Sequence, residues 1–151
     1  MDKGIYCLVF KNPGCTVRVG ALGEINFQPG WHCYIGSALG SGGLKRMERH
    51  ISLARNHDKR PKWHVDYLLT SPLFSLVYVV YGVIRERLEC RLAHELGNGG
   101  IPGFGCSDCD CISHLFYRQC DPQDEIYAAF RHLRYIPTTQ TIMNPDMKVN
   151  I

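Results

Sequence analysis

"CYIGSALGSGGLKRMERH" occupies residues 33–50, and its reading decides the fold. An apolar run passes into a glycine-rich segment and then into a basic stretch with helical spacing. Working upstream, "WHCYIG" (31–36) alternates, with Trp31, Cys33 and Ile35 on one face of a strand and His32, Tyr34 and Gly36 on the other. Downstream, a helix is expected from about Gly43, with Leu44, Met47, Ile51 and Ala54 on its core side. Arg46, Arg49 and His50 take a different side, Arg46 and His50 one turn apart. Glycines ahead of a helix can cradle phosphate through backbone N–H groups. "GSALGSGGLKR" has neither the P-loop spacing nor the dinucleotide fingerprint, so the glycines read as a bend from strand to helix.

The same reading extends along the chain. "GIYCLVF" (4–10) predicts a strand, "NPG" (12–14) a type II turn, and "CTVRV" (15–19) a strand with Cys15, Val17 and Val19 inward. With turns at Gly23–Glu24 and Pro29–Gly30, an antiparallel meander is expected to fill the first third. "RPKWHVDYLL" (60–69) predicts a second helix with Pro61 in its first turn. "FSLVYVVYG" (74–82) is expected to be the central strand. "RERLECRLAHEL" (85–96) predicts a third helix with Leu88, Leu92 and Leu96 on its core side and Gly97 at its end. "SHLFY" (113–117) reads as a short strand. "DPQDEIYAAFRHL" (121–133) reads as a helix capped by Asp121 with Pro122 at its first position. Beyond Pro137 no pattern emerges. The implied class is α+β, with helices flanking a small mixed or antiparallel central sheet.

Composition narrows the options. The chain has 151 residues, ordinary apolar content and a net charge of +3. No apolar run is long enough to span a bilayer, and the N-terminus lacks a signal-peptide pattern, so no membrane role and a cytoplasmic location are expected. Cationic residues concentrate locally: Lys45, Arg46, Arg49, Arg55, Lys59, Arg60 and Lys62, opposed there only by Glu48 and Asp58. Such a patch either binds phosphates or is a solvated helix face followed by a charged loop. Eight cysteines without a secretion signal argue against a disulfide scaffold; Cys7, Cys33 and Cys90 read as small core residues.

Two tripeptides then join the pattern: Gly4–Ile5–Tyr6 and Tyr34–Ile35–Gly36, followed by "GSALGSGGLKRMERHI" and, on a later helix, Glu89. In this order the elements resemble the GIY-YIG nuclease superfamily. "YIGSALGSGGLKRMERHI", "KWHVDYLL", "ECRLAHEL" and "GFGCSDCDCISHLFY" look closest to its prokaryotic branch called domain of unknown function 123. The likeness covers about residues 4–118, which would form the GIY-YIG-like domain. Residues 119–151 would be a C-terminal helix and tail packed on that domain. The tripeptides stand farther apart than in typical members, so residues 11–30 are expected to add an N-terminal hairpin.

The resemblance implies a Mg²⁺- or Mn²⁺-dependent endonuclease that hydrolyses phosphodiester bonds in DNA. Tyr6, Tyr34, Arg46, His50 and Glu89 would be its catalytic set. Arg46 matches the family arginine and would grip two phosphate oxygens. Glu89 matches the metal ligand. Tyr6 would act as base or as partner of the attacking water, its phenol pKa lowered from about 10 by Arg46, Lys45 and the metal-bound water network. Tyr34 would orient phosphate or nucleophile, and His50 would assist proton transfer. Lys45, Arg49, Arg55, Lys62 and His64 would bind nucleic acid, although the "KWHVDYLL" helix carrying His64 equally suits packing. Each residue also has an ordinary reading: strand aromatics, a solvated arginine, an exposed helix acid.

One departure is chemical. The superfamily's downstream asparagine has no counterpart beyond Asn98, which lies in a glycine-rich loop. In its place stands "CSDCDCISH", where Cys106, Cys109, Cys111 and His114 offer four ligands for Zn²⁺, or simply shape the loop. Two alternatives follow: a non-catalytic nucleic-acid-binding module that keeps the fold, or a zinc-stabilised protein-interaction module. Substrate choice would come from a protein partner or a homo-oligomer.

Overall fold

The computed structural model describes residues 2–105 and 111–142. A five-stranded antiparallel sheet forms the frame. Its strands are β1 (Gly4–Asn12), β4 (Gly30–Ala38), β5 (Ser75–Val83), β6 (Leu115–Arg118) and β7 (Thr138–Thr141), in the order β6-β4-β1-β5-β7. A separate ribbon pairs β2 (Cys15–Arg18) with β3 (Glu24–Phe27). Four helices complete the domain: α1 (Lys45–Asn56), α2 (His64–Leu69), α3 (Glu89–Leu96) and α4 (Gln123–His132). The α+β class and the added N-terminal hairpin agree with the sequence reading.

Three expectations about the sheet change. The first third is not a meander, because β1 skips the ribbon and pairs with β4 across nine positions, Gly4 opposite Ala38 and Asn12 opposite Gly30. The central strand is β1, not β5. Its residues 4–10 are all buried, since helices cover both faces, whereas β5 has only β7 beyond it. The tail also contributes β7, where Thr138–Thr141 pairs with Tyr78–Tyr81. β-Branched threonines suit an edge strand, but a short polar segment gives no alternation to read.

Alternation along β1 splits the interior into two cores. Ile5, Cys7 and Val9 pack with Cys33, Ile35, Leu88 and Leu92 from α3, and Ile126 and Phe130 from α4. Tyr6, Leu8 and Phe10 pack with Tyr34, Met47 and Ile51 of α1 and Val65 and Leu68 of α2. So α1 and α2 cover one face of the sheet, and α3 and α4 the other.

The helices are shorter than their sequence signals. α2 starts at His64, three residues after Pro61. Its true start signal is Asp66, whose carboxylate accepts the Lys62 and Trp63 backbone N–H groups at 2.9 and 3.0 Å. α3 starts at Glu89, so residues 85–88 lie outside it. In α4, Pro122 takes the cap position, and the Asp121 carboxylate accepts the Gln123 N–H at 3.1 Å. Among the described residues no helix is long and apolar enough to cross a membrane.

Candidate active site

The motif glycines have steric reasons. Gly36 lies opposite Tyr6, and a Cβ there would sit 2.4–2.6 Å from the ring and hydroxyl atoms of Tyr6. Only glycine lets the buried phenol cross the neighbouring strand. A Cβ on Gly4 would come within 2.5 Å of the Gly82 carbonyl oxygen. The tripeptides therefore mark close backbone approaches at the middle of the sheet.

Tyr6 projects from β1 towards α1, where its hydroxyl is 3.0 Å from His50 Nε2. On the other side of that ring, His50 Nδ1 is 3.7 Å from Asp66 Oδ1. All three side chains are buried. Burial lowers the His50 pKa to about 4 despite the opposing pull of Asp66, with Arg46 and Arg49 adding to the drop. The imidazole is thus neutral near pH 7, and its contact with Asp66 orients the ring without being an ion pair. A proton on Nδ1, facing the carboxylate, leaves the Nε2 lone pair to accept the Tyr6 hydroxyl. The result is an Asp66–His50–Tyr6 chain drawn from α2, α1 and β1.

The expectation that nearby cations lower the Tyr6 pKa is reversed. Burial pushes the hydroxyl well above the ordinary phenol range, Tyr34 adds to the rise, and Arg46 and Arg49 only partly oppose it. The phenol is therefore protonated near pH 7, with His50 as its hydrogen-bond acceptor.

Beside this chain lies a cleft of about 470 Å³ between α1, the glycine loop and the segment leading to α2. Arg46, Arg49, Lys59, Arg60 and Lys62 line it, together with His50, Trp63 and Asp66. Arg46 is fixed in two ways: its Nη1 donates to the Ser37 carbonyl at 3.2 Å, and its guanidinium stacks 3.6 Å from the Trp63 ring centre. The glycine loop is no phosphate cradle. Gly43, Lys45 and Arg46 donate their N–H groups to the carbonyls of Gly40, Gly42 and Gly43, and Leu44 donates to Asp2. The first donors of α1 are engaged by the turn itself.

Other expected site residues lie elsewhere. Lys45 is exposed and does not line the cleft, and Arg55 borders a second hollow with His57 and Phe74. His64 is half-buried; its Nδ1 accepts the Gly105 N–H at 2.9 Å, and its ring packs edge-on against Phe104. Tyr34 packs against Phe104 on the same face as Tyr6. Asn98 is exposed, and its carbonyl accepts a bond from Arg118.

Glu89 occupies the first position of α3, the helix on the opposite face of the sheet, and it does not line the cleft. Its Oε2 is buried and finds no hydrogen-bond partner among the described residues. Burial lowers the His114 pKa, and Glu89 opposes the drop. The two halves approach each other at Gly105: a Cβ there would touch both Tyr34 and His114 at 3.2 Å.

Around Glu89 the cysteines depart from the sequence reading. Cys7 and Cys33 are buried core residues, but Cys90 is half-buried and joined to Cys111 as a disulfide. Cys90, Cys111 and His114 have ligand atoms within 4.8 Å of one another, a group able to hold a metal ion. Cys106 and Cys109, expected as zinc ligands with Cys111 and His114, lie outside the described residues. Sequence reasoning missed Asp66 and Cys90. An acidic residue three positions after an extended Trp63 was a legible capping signal for Asp66; Cys90 pairs across 21 positions, and no local pattern shows that.

A cationic cleft over a buried carboxylate–imidazole–phenol chain, on an antiparallel α+β frame, sets the class of domain. The family model described as "Domain of unknown function DUF123" matches residues 5–135, and the chain belongs to this family. Comparison with curated proteins and with solved structures returns no match.

Proposed function

We propose that the protein is a phosphodiester hydrolase acting on DNA, with the cleft as its phosphate-binding side and a Mg²⁺ or Mn²⁺ ion as cofactor. The observation that carries the proposal is the Asp66–His50–Tyr6 chain at the edge of a cleft lined by five Arg and Lys side chains. Hydrolysis needs a base near the attacking oxygen and positive charge around the phosphate. Asp66 sets the His50 tautomer. His50 accepts the Tyr6 hydroxyl hydrogen bond, which fixes the protonated phenol as the partner of the attacking water. Arg46, held against Trp63, and Arg49 receive phosphate oxygens. Tyr34 orients the substrate beside Tyr6. This arrangement resembles the GIY-YIG site in the positions of its two tyrosines and its helix arginine.

Glu89 fits a divalent ion, because one of its oxygens is buried without a hydrogen-bond partner among the described residues. A single carboxylate completed by water and substrate phosphate is a usual Mg²⁺ set. When bound, the ion supplies Lewis-acid stabilisation of the leaving oxygen.

Two observations favour the second reading, a module that binds nucleic acid without cutting it. Tyr6 is only 1% exposed, and Glu89 stands outside the cleft. One experiment separates the readings. The protein is incubated with branched, nicked and plain duplex DNA and either metal. Cleavage by wild type that is lost in Glu89→Ala and His50→Ala supports the hydrolase. Salt-sensitive binding without cleavage leaves the binding module.

A further inference from the structure

At the start of α3 lies ligand chemistry that no step above uses. Cys90 Sγ, Cys111 Sγ and a ring nitrogen of His114 lie within 4.8 Å of one another, with His114 Nε2 3.8 Å from Cys90 Sγ. Ligands around one tetrahedral zinc ion stand about 3.4–3.8 Å apart; Cys90 Sγ and His114 Nε2 already have that spacing, and the two bonded sulfurs separate towards it once the bridge is reduced. The backbone already fixes one member. His114 donates its N–H to the Phe104 carbonyl at 2.9 Å and accepts the Ile35 N–H at 2.8 Å.

A second observation points to a cation. The Glu89 Oε2, buried and without a hydrogen-bond partner among the described residues, belongs to the residue next in sequence to Cys90. A buried carboxylate oxygen with no donor is the kind of group that a nearby bound cation satisfies. Two sulfurs select a borderline-soft metal over Mg²⁺.

We propose that Cys90, Cys111 and His114 form a Zn²⁺ site that is loaded when the two cysteines are thiolates and emptied when they are joined as a disulfide. Water takes the fourth position. A small-molecule thiol interconverts the states: two RSH give two electrons and two protons to the bridge, become RSSR, and leave two cysteine thiols. Zinc displaces both thiol protons as the two Zn–S bonds form. In reverse, a small-molecule disulfide takes the two electrons, the Cys90–Cys111 bond re-forms and the ion leaves. The proposal stands independently of phosphodiester hydrolysis, since its readout is metal content without DNA.

The test uses the full chain, reduced with a dithiol or oxidised, loaded with Zn²⁺ and dialysed free of excess metal. Elemental analysis is expected to find about one zinc per chain in the reduced sample and almost none in the oxidised one. Cys90→Ser and His114→Ala are expected to lose more than the roughly 10–100-fold affinity that loss of a supporting group costs. Should either variant fail to fold, Co²⁺ added to reduced wild type is expected to give a thiolate-to-metal charge-transfer band that oxidation abolishes. Equal zinc in both redox states, no such band, or full binding by folded Cys90→Ser would overturn the assignment.

Discussion

The α1–α2 face and the corner at the start of α3 both gather polar side chains, but they hold them by different means. On the first, Tyr6 and His50 are hydrogen-bonded, and Asp66, 3.7 Å from the other His50 nitrogen, is tied to the Lys62 and Trp63 N–H groups at the start of α2. At the second, the Glu89 carboxylate oxygen is buried without a hydrogen-bond partner among the described residues, and the adjoining Cys90 groups with Cys111 and His114. A satisfied network keeps its geometry without a ligand; an unsatisfied one gains most from a cation. The difference is why one region is proposed to position substrate and the other to take an ion.

The largest expected effect tests the first region. If hydrolysis runs through His50, His50→Ala is expected to slow DNA cleavage by about 10²–10⁴-fold, the usual worth of a positioned acid or base. Tyr6→Phe is expected to fall in the same range, and the double variant not much lower, because the two act as one unit. Cys111→Ser, assayed alongside, is expected to keep wild-type cleavage rates. An equal loss in Cys111→Ser would tie the cysteine pair to the hydrolytic site.

The pH dependence of stability offers a second comparison. His50 has a folded pKa of about 4 against an ordinary 6.5, and so does His32, both through burial. The unfolded chain therefore takes up these protons first as pH falls. The contribution is fully present above pH 6.5 and drains away towards pH 4, by roughly 3 kcal/mol per histidine at most. Urea midpoints are expected to drop steeply between pH 6.5 and 4.5. His50→Gln, which keeps an amide for Tyr6 and Asp66, is expected to flatten that slope.

A third prediction concerns the strand glycine. Gly36→Ala places a methyl group against the buried Tyr6 ring and is expected to cost about 1–3 kcal/mol, with a matching loss of the Tyr6–His50 contact. Gly40→Ala meets nothing within 4 Å and is expected to leave the urea midpoint unchanged. Similar destabilisation by both would remove the steric account of the motif glycine.

These glycines show how far the sequence carries. The face assignment along β4, the core stripe of α1 and the Leu88–Leu92–Leu96 stripe of α3 were all readable, because alternation and helical spacing are local properties. The pairing of β1 with β4 was not, since register depends on partners far apart in sequence. At the candidate site, Tyr6, Tyr34, Arg46 and His50 were picked out by motif order. The burial of Tyr6, Tyr34 and His50 was not, and burial reverses the expected shift of the Tyr6 phenol. The Cys90–Cys111 pairing was equally hidden, because Cys90 occupies an apolar helical pattern that suits a core residue.

The smallest effect distinguishes gripping from positioning within the cleft. Arg49 is exposed on the cleft wall, whereas Arg46 is held by Ser37 and Trp63. A freely placed arginine acts mainly as a charge, so Arg49→Lys is expected to change DNA affinity little. Arg49→Ala should reduce the salt slope of binding by about one phosphate contact. A stacked, planar guanidinium is not replaced by an ammonium group. Arg46→Lys is therefore expected to weaken DNA binding while leaving net charge unchanged, measured by fluorescence anisotropy across a salt series. If Arg46→Lys and Arg49→Lys behave alike, stacking on Trp63 has no part in recognition, and the cleft binds DNA by charge alone.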